Sequence, residues 1–360
     1  VWSNPPVNRA VPRSQAWVSS APQVEVRHGE QLWFDPSSPV VQQRVHDEIV
    51  DVVERYDVDG VHIDDYFYPY PKPRVRFDDD ASYQLYRRSG GRLSRSAWRR
   101  NHVNGFVAGL DRAIHLSKPA VKFGVSPFGI VRPGVPEGIQ AGVDQYEDLA
   151  ADVQTWLREG IVDYIVPQLY WPIAQRAQNY PQLLGWWSSV TPRDVHLFVG
   201  NFATKAWQRE PGWSLRELQE QIQRTQRDPV ASGTVLFSAK VLRDAAFRRG
   251  LRDRVWPSLA LVPPSSWLDD DPPSQPDLDV RDVEGNLELR WTGDRSTRFW
   301  SVYLQRSDGD WQLSDVKGAA KPGLRIPAST RRTLGIRAVA VASIDQAGNE
   351  SPYRVVSVSR

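Results

Sequence analysis

Short β-rich runs alternate with longer amphipathic segments from residue 40 to about 255, and this cadence restricts the chain to very few folds. VVQQRVHDEIVDVVERY (40–56) sets Val41, Val45, Ile49, Val52 and Val53 at helical spacing, and VDGVHIDDYF then reads as a strand. WRRNHVNGFVAGLDRAIHLS (98–117) reads as a helix, and VKFGVSPFGI (121–130) as a strand that breaks at its Ser-Pro. YEDLAADVQTWLREG (146–160) is expected to be a helix stopped by Gly160. VDYIVPQLYW (162–171) and the end of SSVTPRDVHLFVGNF (188–202) are strands, and the helix SLRELQEQIQRTQRD (214–228) precedes the strand GTVLFSAKVL (233–242). Strand, helix, strand at this spacing implies parallel pairing through right-handed crossovers. Five such units are visible where a closed barrel needs eight, and VWSNPP reads as the tail of a sixth. The expected fold is therefore α/β, a (β/α)8 TIM barrel over 1–261 whose first strands lie upstream of Val1. A doubly wound open sheet is the alternative.

VPPSSWLDDDPPSQP (262–276) is a stiff, polar linker. NLELRW, RFWSVYLQR, DWQLSDV, GLRIPA, IRAVAVASI and YRVVSVS follow as short strands between Gly, Asp, Pro and Ser turns, a small all-β sandwich over 277–360. Its AVAVASIDQAGNESPY resembles the last hairpin of fibronectin type III modules.

Lys and Arg number 45 against 43 Asp and Glu, mixed along the chain, and this argues against a nucleic-acid partner. RRSGGRLSRSAWRR (87–100), the densest basic stretch, reads as a solvated loop and helix face. No cysteine is present, so disulfides and thiolate metal sites are excluded from the chain. No apolar run reaches the roughly 18 residues of a membrane span, and no signal peptide opens the chain. The absence of Met, initiator included, points to an incomplete chain. Fifteen Trp and twelve Tyr are the more telling excess, because Trp is hard to bury completely and such rings make stacking surfaces.

In a parallel barrel the reactive groups sit where strands end. The strand ends here carry Asp64 and Asp65, Ser126 with Arg132 downstream, Gln168 with Tyr170 and Trp171, Asn201, and Ser238 with Lys240. Alternation places Val61 and Ile63 on one face and His62 with Asp64 on the other, toward the barrel axis. Asp64 is then the better catalytic candidate; Asp65 more readily holds the loop or bonds a sugar hydroxyl, and both are kept as catalytic candidates. Glycoside hydrolysis usually takes two carboxyl groups. Glu147 and Asp148 look like helix-opening acids, Asp144 and Asp35 like caps, and no second catalytic carboxylate stands out. Tyr68, Tyr170, Trp171 and Trp207 fall at or after strand ends, as sugar-stacking rings would, whereas Trp186 and Trp187 read as core. There is no GxSxG elbow, phosphate loop or HExxH pair. A metal on His62, Asp64 and Asp65 is the weaker alternative, and no cofactor is expected.

QLWFDPSSPVVQQRVHDEIVDVVERYDVDGVHIDDYFYPYP, AWRRNHVNGFV, VKFGVSPFGIVRPG and VDYIVPQLYW, in this order, resemble the glycosyl-hydrolase-like family 10 proteins of bacteria, often exported lipoproteins. The resemblance covers residues 1 to about 255. It implies a TIM-barrel glycosidase with Asp64 and Asp65 ending the fourth strand. The family is related to enzymes that cleave peptidoglycan glycan stripped of its peptides. Asn4, Arg9, Arg100, Asn101, Gln168, Tyr170 and Asn201 become substrate contacts on this basis, beside His62, Tyr68, Ser126, Arg132, Trp171 and Lys240. Val131-Arg132 stands where the family more often has Trp-Arg, which removes a stacking ring at 131. The resemblance implies a polysaccharide partner, an exported or periplasmic location and a lipid anchor upstream. A non-catalytic saccharide-binding protein is the runner-up.

Overall fold

The computed structural model describes residues 24–358. The chain divides into two compact units, Val1–Leu251 and Arg252–Arg360, ten residues before the boundary expected from the linker. Among the described residues no helix is long and apolar enough to cross a membrane.

The first unit opens with a hairpin, β1 (Glu25–His28) and β2 (Gln31–Phe34), and helix α1 (Pro39–Arg55). Pro39 suits the first helical turn, where its missing N–H has no acceptor to lose, and Val41, Val45 and Val53 face inward. β3 (Gly60–Asp64), α2 (Asp80–Arg88), α3 (Arg95–Ser117), β4 (Lys122–Ser126), α4 (Val153–Glu159), β5 (Tyr164–Ile165), α5 (Tyr180–Val190) and β6 (His196–Asn201) follow. α6 (Ala203–Gln208), α7 (Leu215–Arg227), β7 (Ala231–Leu236) and α8 (Ala245–Arg254) complete the order. The five strands β3 to β7 form one parallel sheet in chain order, each hydrogen-bonded to the next. A doubly wound sheet reverses its order at a switch point, and this one does not. β3 and β7 are its edges, so the described residues form an open sheet and not a closed barrel.

One register row, Ile63, Val125, Ile165 and Leu197, is buried in the core with Val107, Leu110 and Ile114 of α3. The opposite row is His62, Gly124, Tyr164 and His196. A Cβ on Gly124 would lie 2.2 Å from the Tyr164 ring, which crosses over that strand.

Several local expectations need correction. α4 starts at Val153 behind its cap Asp152, not at 146, because Asp144 Oδ1 accepts the Tyr146 and Glu147 N–H groups and holds a turn there. Gly160 does end it, in the left-handed conformation with φ 63°. Asp35 does not cap α1; it accepts from Ser37 N–H and Oγ in the turn before it. The basic stretch 87–100 is partly neutralised within the fold, since Arg95 and Arg99 both bond the buried carboxylate of Asp79.

His115, near the end of α3, bonds Asp111 Oδ1 at 3.2 Å and Asp163 Oδ2 at 3.1 Å. The Asp111 and Asp163 hydrogen bonds push its pKa up to about 10. A raised pKa gives stability that is complete below the unfolded value near 6.5 and lost as pH rises through about 10. His115→Ala is expected to melt below the parent at pH 7, the gap closing above pH 10.

Among the described residues the second unit holds seven strands, β8 (Asp277–Val283), β9 (Asn286–Thr292), β10 (Phe299–Gln305), β11 (Trp311–Gly318), β12 (Gly323–Ile326), β13 (Ala338–Ile344) and β14 (Arg354–Ser357). They form a four-stranded sheet, β11-β10-β13-β14, and a three-stranded one, β12-β9-β8. Leu287, Leu289 and Trp291 of one sheet share a core with Trp300, Val302, Val339 and Val341 of the other. The sequence patterning misses β8, whose alternation is masked by four charged residues in seven, and the helix α9 (Ala328–Leu334).

Candidate functional site

β3 carries Asp64 to the carboxyl end of the sheet, on its exposed face with His62. Three donors converge on one oxygen of Asp64. Gln168 Nε2 reaches Oδ1 at 2.9 Å, Ser126 Oγ at 3.2 Å and the Asp65 N–H at 2.9 Å. Gln168 Nε2 also bonds the Ser126 carbonyl at 2.9 Å, which fixes the amide between the two strand ends. All three donors use Oδ1, which leaves the Oδ2 side of this exposed carboxylate facing outward with the Asp65 carboxyl beside it.

With Ser126 donating to Asp64, its Oγ accepts from His62 Nε2 at 2.9 Å. Desolvation lowers the His62 pKa more than Asp64 raises it. Neutral His62 is then the Nε2–H tautomer. Its ring stacks on Tyr164, centroids 5.7 Å apart and planes 14° from parallel.

Asp65 differs from its neighbour in every respect. It is only 2% exposed, and the Tyr70 hydroxyl donates to its Oδ2. Burial pushes its pKa up to about 7, against the Tyr70 hydrogen bond, which lowers it. Protons are therefore held more tightly in the folded state, and stability falls as pH rises from about 4 through 7. Asp65→Asn keeps an acceptor for Tyr70 without the buried charge. It is expected to melt above the parent at pH 8, by up to about 4 kcal/mol, and to lose that advantage at pH 4. Equal melting at both pH values would mean that Asp65 is not desolvated.

Rings flank the two acids. Trp33, Tyr66, Tyr70, Phe128 and Trp171 make a continuous file, with centroid separations of 6.4, 5.7, 6.3 and 5.5 Å. Tyr170 begins a second group with Phe202 at 4.7 Å and Phe237 at 5.9 Å. Burial, then Asp64 and Asp65, raise the Tyr170 pKa, so its hydroxyl keeps its proton beside them.

The structure thus brings together His62, Asp64, Ser126 and Gln168, with Tyr170 and Trp171 in the flanking rings. It places the other candidates elsewhere. Tyr68 is a core ring, 1% exposed, against Phe77 and the Arg99 guanidinium. Asn201 is fully buried, donating to Tyr180 and Gln221. Arg100 and Arg132 flank the Tyr146 ring and pair with Glu147 and Asp144. Asn101 is exposed on α3 and Lys240 on the turn Ala239–Arg243. Asn4 and Arg9 lie outside the described residues. Sequence reasoning passes over Tyr164, although its strand parity with Gln168 could have found it. Tyr70 is one of the rings that follow the acids in YFYPY, where a wall beside them is expected, and it does stand against Asp65 and Tyr66.

Residues 2–214 match the pattern of the family described as glycosyl hydrolase-like 10. The chain belongs to that family. Glycosyl hydrolase YngK of Bacillus subtilis is 39% identical over 273 residues, covering 72% of this chain and 53% of that protein. Glycosyl hydrolase DigH of Escherichia coli K12 is 36% identical over 220 residues, covering 58% of this chain and 49% of its own length. The chain spans about half the length of these curated relatives. An α-L-fucosidase of Paenibacillus thiaminolyticus overlaps 65% of this chain and 34% of its own, at 14% identity and a TM-score of 0.40, a likeness too low to refine the fold. Every member of the Asp64 cluster lies within the span that matches the glycosyl hydrolase-like 10 family.

Proposed function

We propose that the first unit is a glycoside hydrolase domain acting on bacterial cell-wall glycan strands, exported to the envelope, with the second unit a fibronectin type III-like spacer. The observation that carries the reading is the Asp64 carboxylate, pinned through Oδ1 by Gln168 and Ser126 with Oδ2 facing outward beside aromatic rings. An ionised carboxylate held this way supplies the nucleophile or base of glycosidic cleavage, and the rings take the C–H faces of the sugars. Asp65 bonds Tyr70 and so positions one flanking ring. Family membership supports the reaction class; cell-wall glycan as substrate rests on the sequence resemblance.

A second reading, a saccharide-binding protein without hydrolysis, is favoured by one specific observation. Glycosidases usually present two carboxyl groups to the bond, and the neighbour of Asp64 is buried. Incubating the chain with peptide-free peptidoglycan glycan strands and reading products by mass spectrometry separates the two. Short oligosaccharides support hydrolysis. Strands that are bound and recovered intact select the binding reading.

A further inference from the structure

Between the segments that follow β6 and β7 lies a cleft of about 460 Å³, lined by Trp207, Arg209, Trp213, Arg216, Asp244 and Phe247 among others. Trp213 and Phe247 are buried, while Trp207 leaves 40% of its surface in solvent. That indole is not loose. Its Nε1–H donates to Asp244 Oδ2 at 3.1 Å, and Asp244 Oδ1 accepts the Ala246 and Phe247 N–H groups at 2.9 Å each. Those bonds, Phe247 first, hold the Asp244 carboxyl below its ordinary pKa, so it stays an ionised acceptor. An exposed ring fixed this way loses little further freedom when a ligand stacks on it.

The polar groups converge on the same space. α6 ends at Arg209 in the left-handed conformation, φ 56°, a position usually given to glycine. Arg209 and Arg216 have no ion-pair partner among the described residues, so their donors are available. A flat apolar face, a fixed carboxylate and free guanidinium donors match a pyranose ring, which has an apolar C–H face and hydroxyls around its edge. The volume lies within the range of about 300–1,000 Å³ usual for small-molecule sites. Phe202 touches both Tyr170 and Trp213, so one run of rings leads from the Asp64 site to this cleft. Asp244 and Phe247 lie beyond the segment that matches the family.

We infer that this cleft is a second carbohydrate site, in which a sugar unit of a glycan chain stacks on Trp207 and hydrogen-bonds Asp244, Arg209 and Arg216. The choice of a saccharide rests on the functional reading above; the cleft itself does not. The test is calorimetric titration of a soluble β-1,4-linked N-acetylglucosamine hexamer into the full chain carrying Asp64→Asn, so that the probe stays intact. Trp207→Ala added to that chain is expected to weaken binding about tenfold, and Trp207→Phe, which keeps a ring, less than threefold. Melting curves confirm that both variants remain folded. Unchanged affinity in Trp207→Ala overturns the second site even if the parent cleaves glycan strands. A loss shared equally by Trp207→Phe overturns the stacking role. Absence of both hexamer binding and strand cleavage overturns the saccharide reading, and this inference with it.

Discussion

Replacing Asp64 with Asn is expected to lower the turnover of glycan-strand hydrolysis by about 10²–10⁴-fold, with KM within a few-fold of the parent. The substitution replaces the carboxylate Oδ2, and with it the charge, by an amide NH2. The carbonyl oxygen of the new amide accepts from Gln168, Ser126 and the Asp65 N–H as the carboxylate Oδ1 does, and residue 64 is exposed, so the fold carries little of the change. What is lost is Oδ2, the oxygen that none of these three donors holds. Rates of oligosaccharide release, measured beside melting curves, check the expectation. Parental turnover in the variant would remove Asp64 from the reaction. Loss of turnover with lowered melting would instead indicate a structural role.

Gly129→Ala is expected to cost about 3 kcal/mol or more, lowering the melting temperature of the first unit by roughly 6–12 °C. A Cβ there would sit 2.2 Å from the Gln168 carbonyl oxygen and 3.0 Å from the Trp171 ring. Neither side can yield easily. The Gly129 carbonyl accepts the Trp187 indole N–H at 2.9 Å, and Gln168 is bridged to both Phe128 and Gly200. The clash is with backbone, unlike that at Gly124, where the ring of Tyr164 has torsions with which to move. Because Gln168 is the residue that orients Asp64, hydrolysis should fall more steeply than stability alone requires. Unchanged melting would show that the two segments pass each other less closely than 2.2 Å implies.

How much of this was legible in the sequence depends on the range over which each determinant acts. Helical spacing and the stop at Gly160 are local properties, and both appear where the sequence puts them, with Val41, Val45 and Val53 buried but Val52 of the same set 45% exposed. The alternation that sets His62 and Asp64 on one face is equally local, since successive strand residues must point to opposite sides. Where the chain turns, that rule ends. Nothing in DDYFYPYP distinguishes Tyr68, which the fold buries, from Tyr70, which it swings back to Asp65. Arg100 and Arg132 read as substrate contacts, and the fold instead brings Glu147 and Asp144 to them.

The sequence by itself determined the βα cadence and the candidacy of Asp64, because periodicity and strand parity act within a few residues. Tertiary structure alone decided the unreversed order of β3 to β7 and the hold of Gln168 on Asp64 across 104 positions. It also gave Asp64 and Asp65 opposite environments, one exposed and one 2% exposed. Burial and hydrogen bonding between distant segments set the chemistry of a carboxylate, and neither is encoded in its neighbours along the chain.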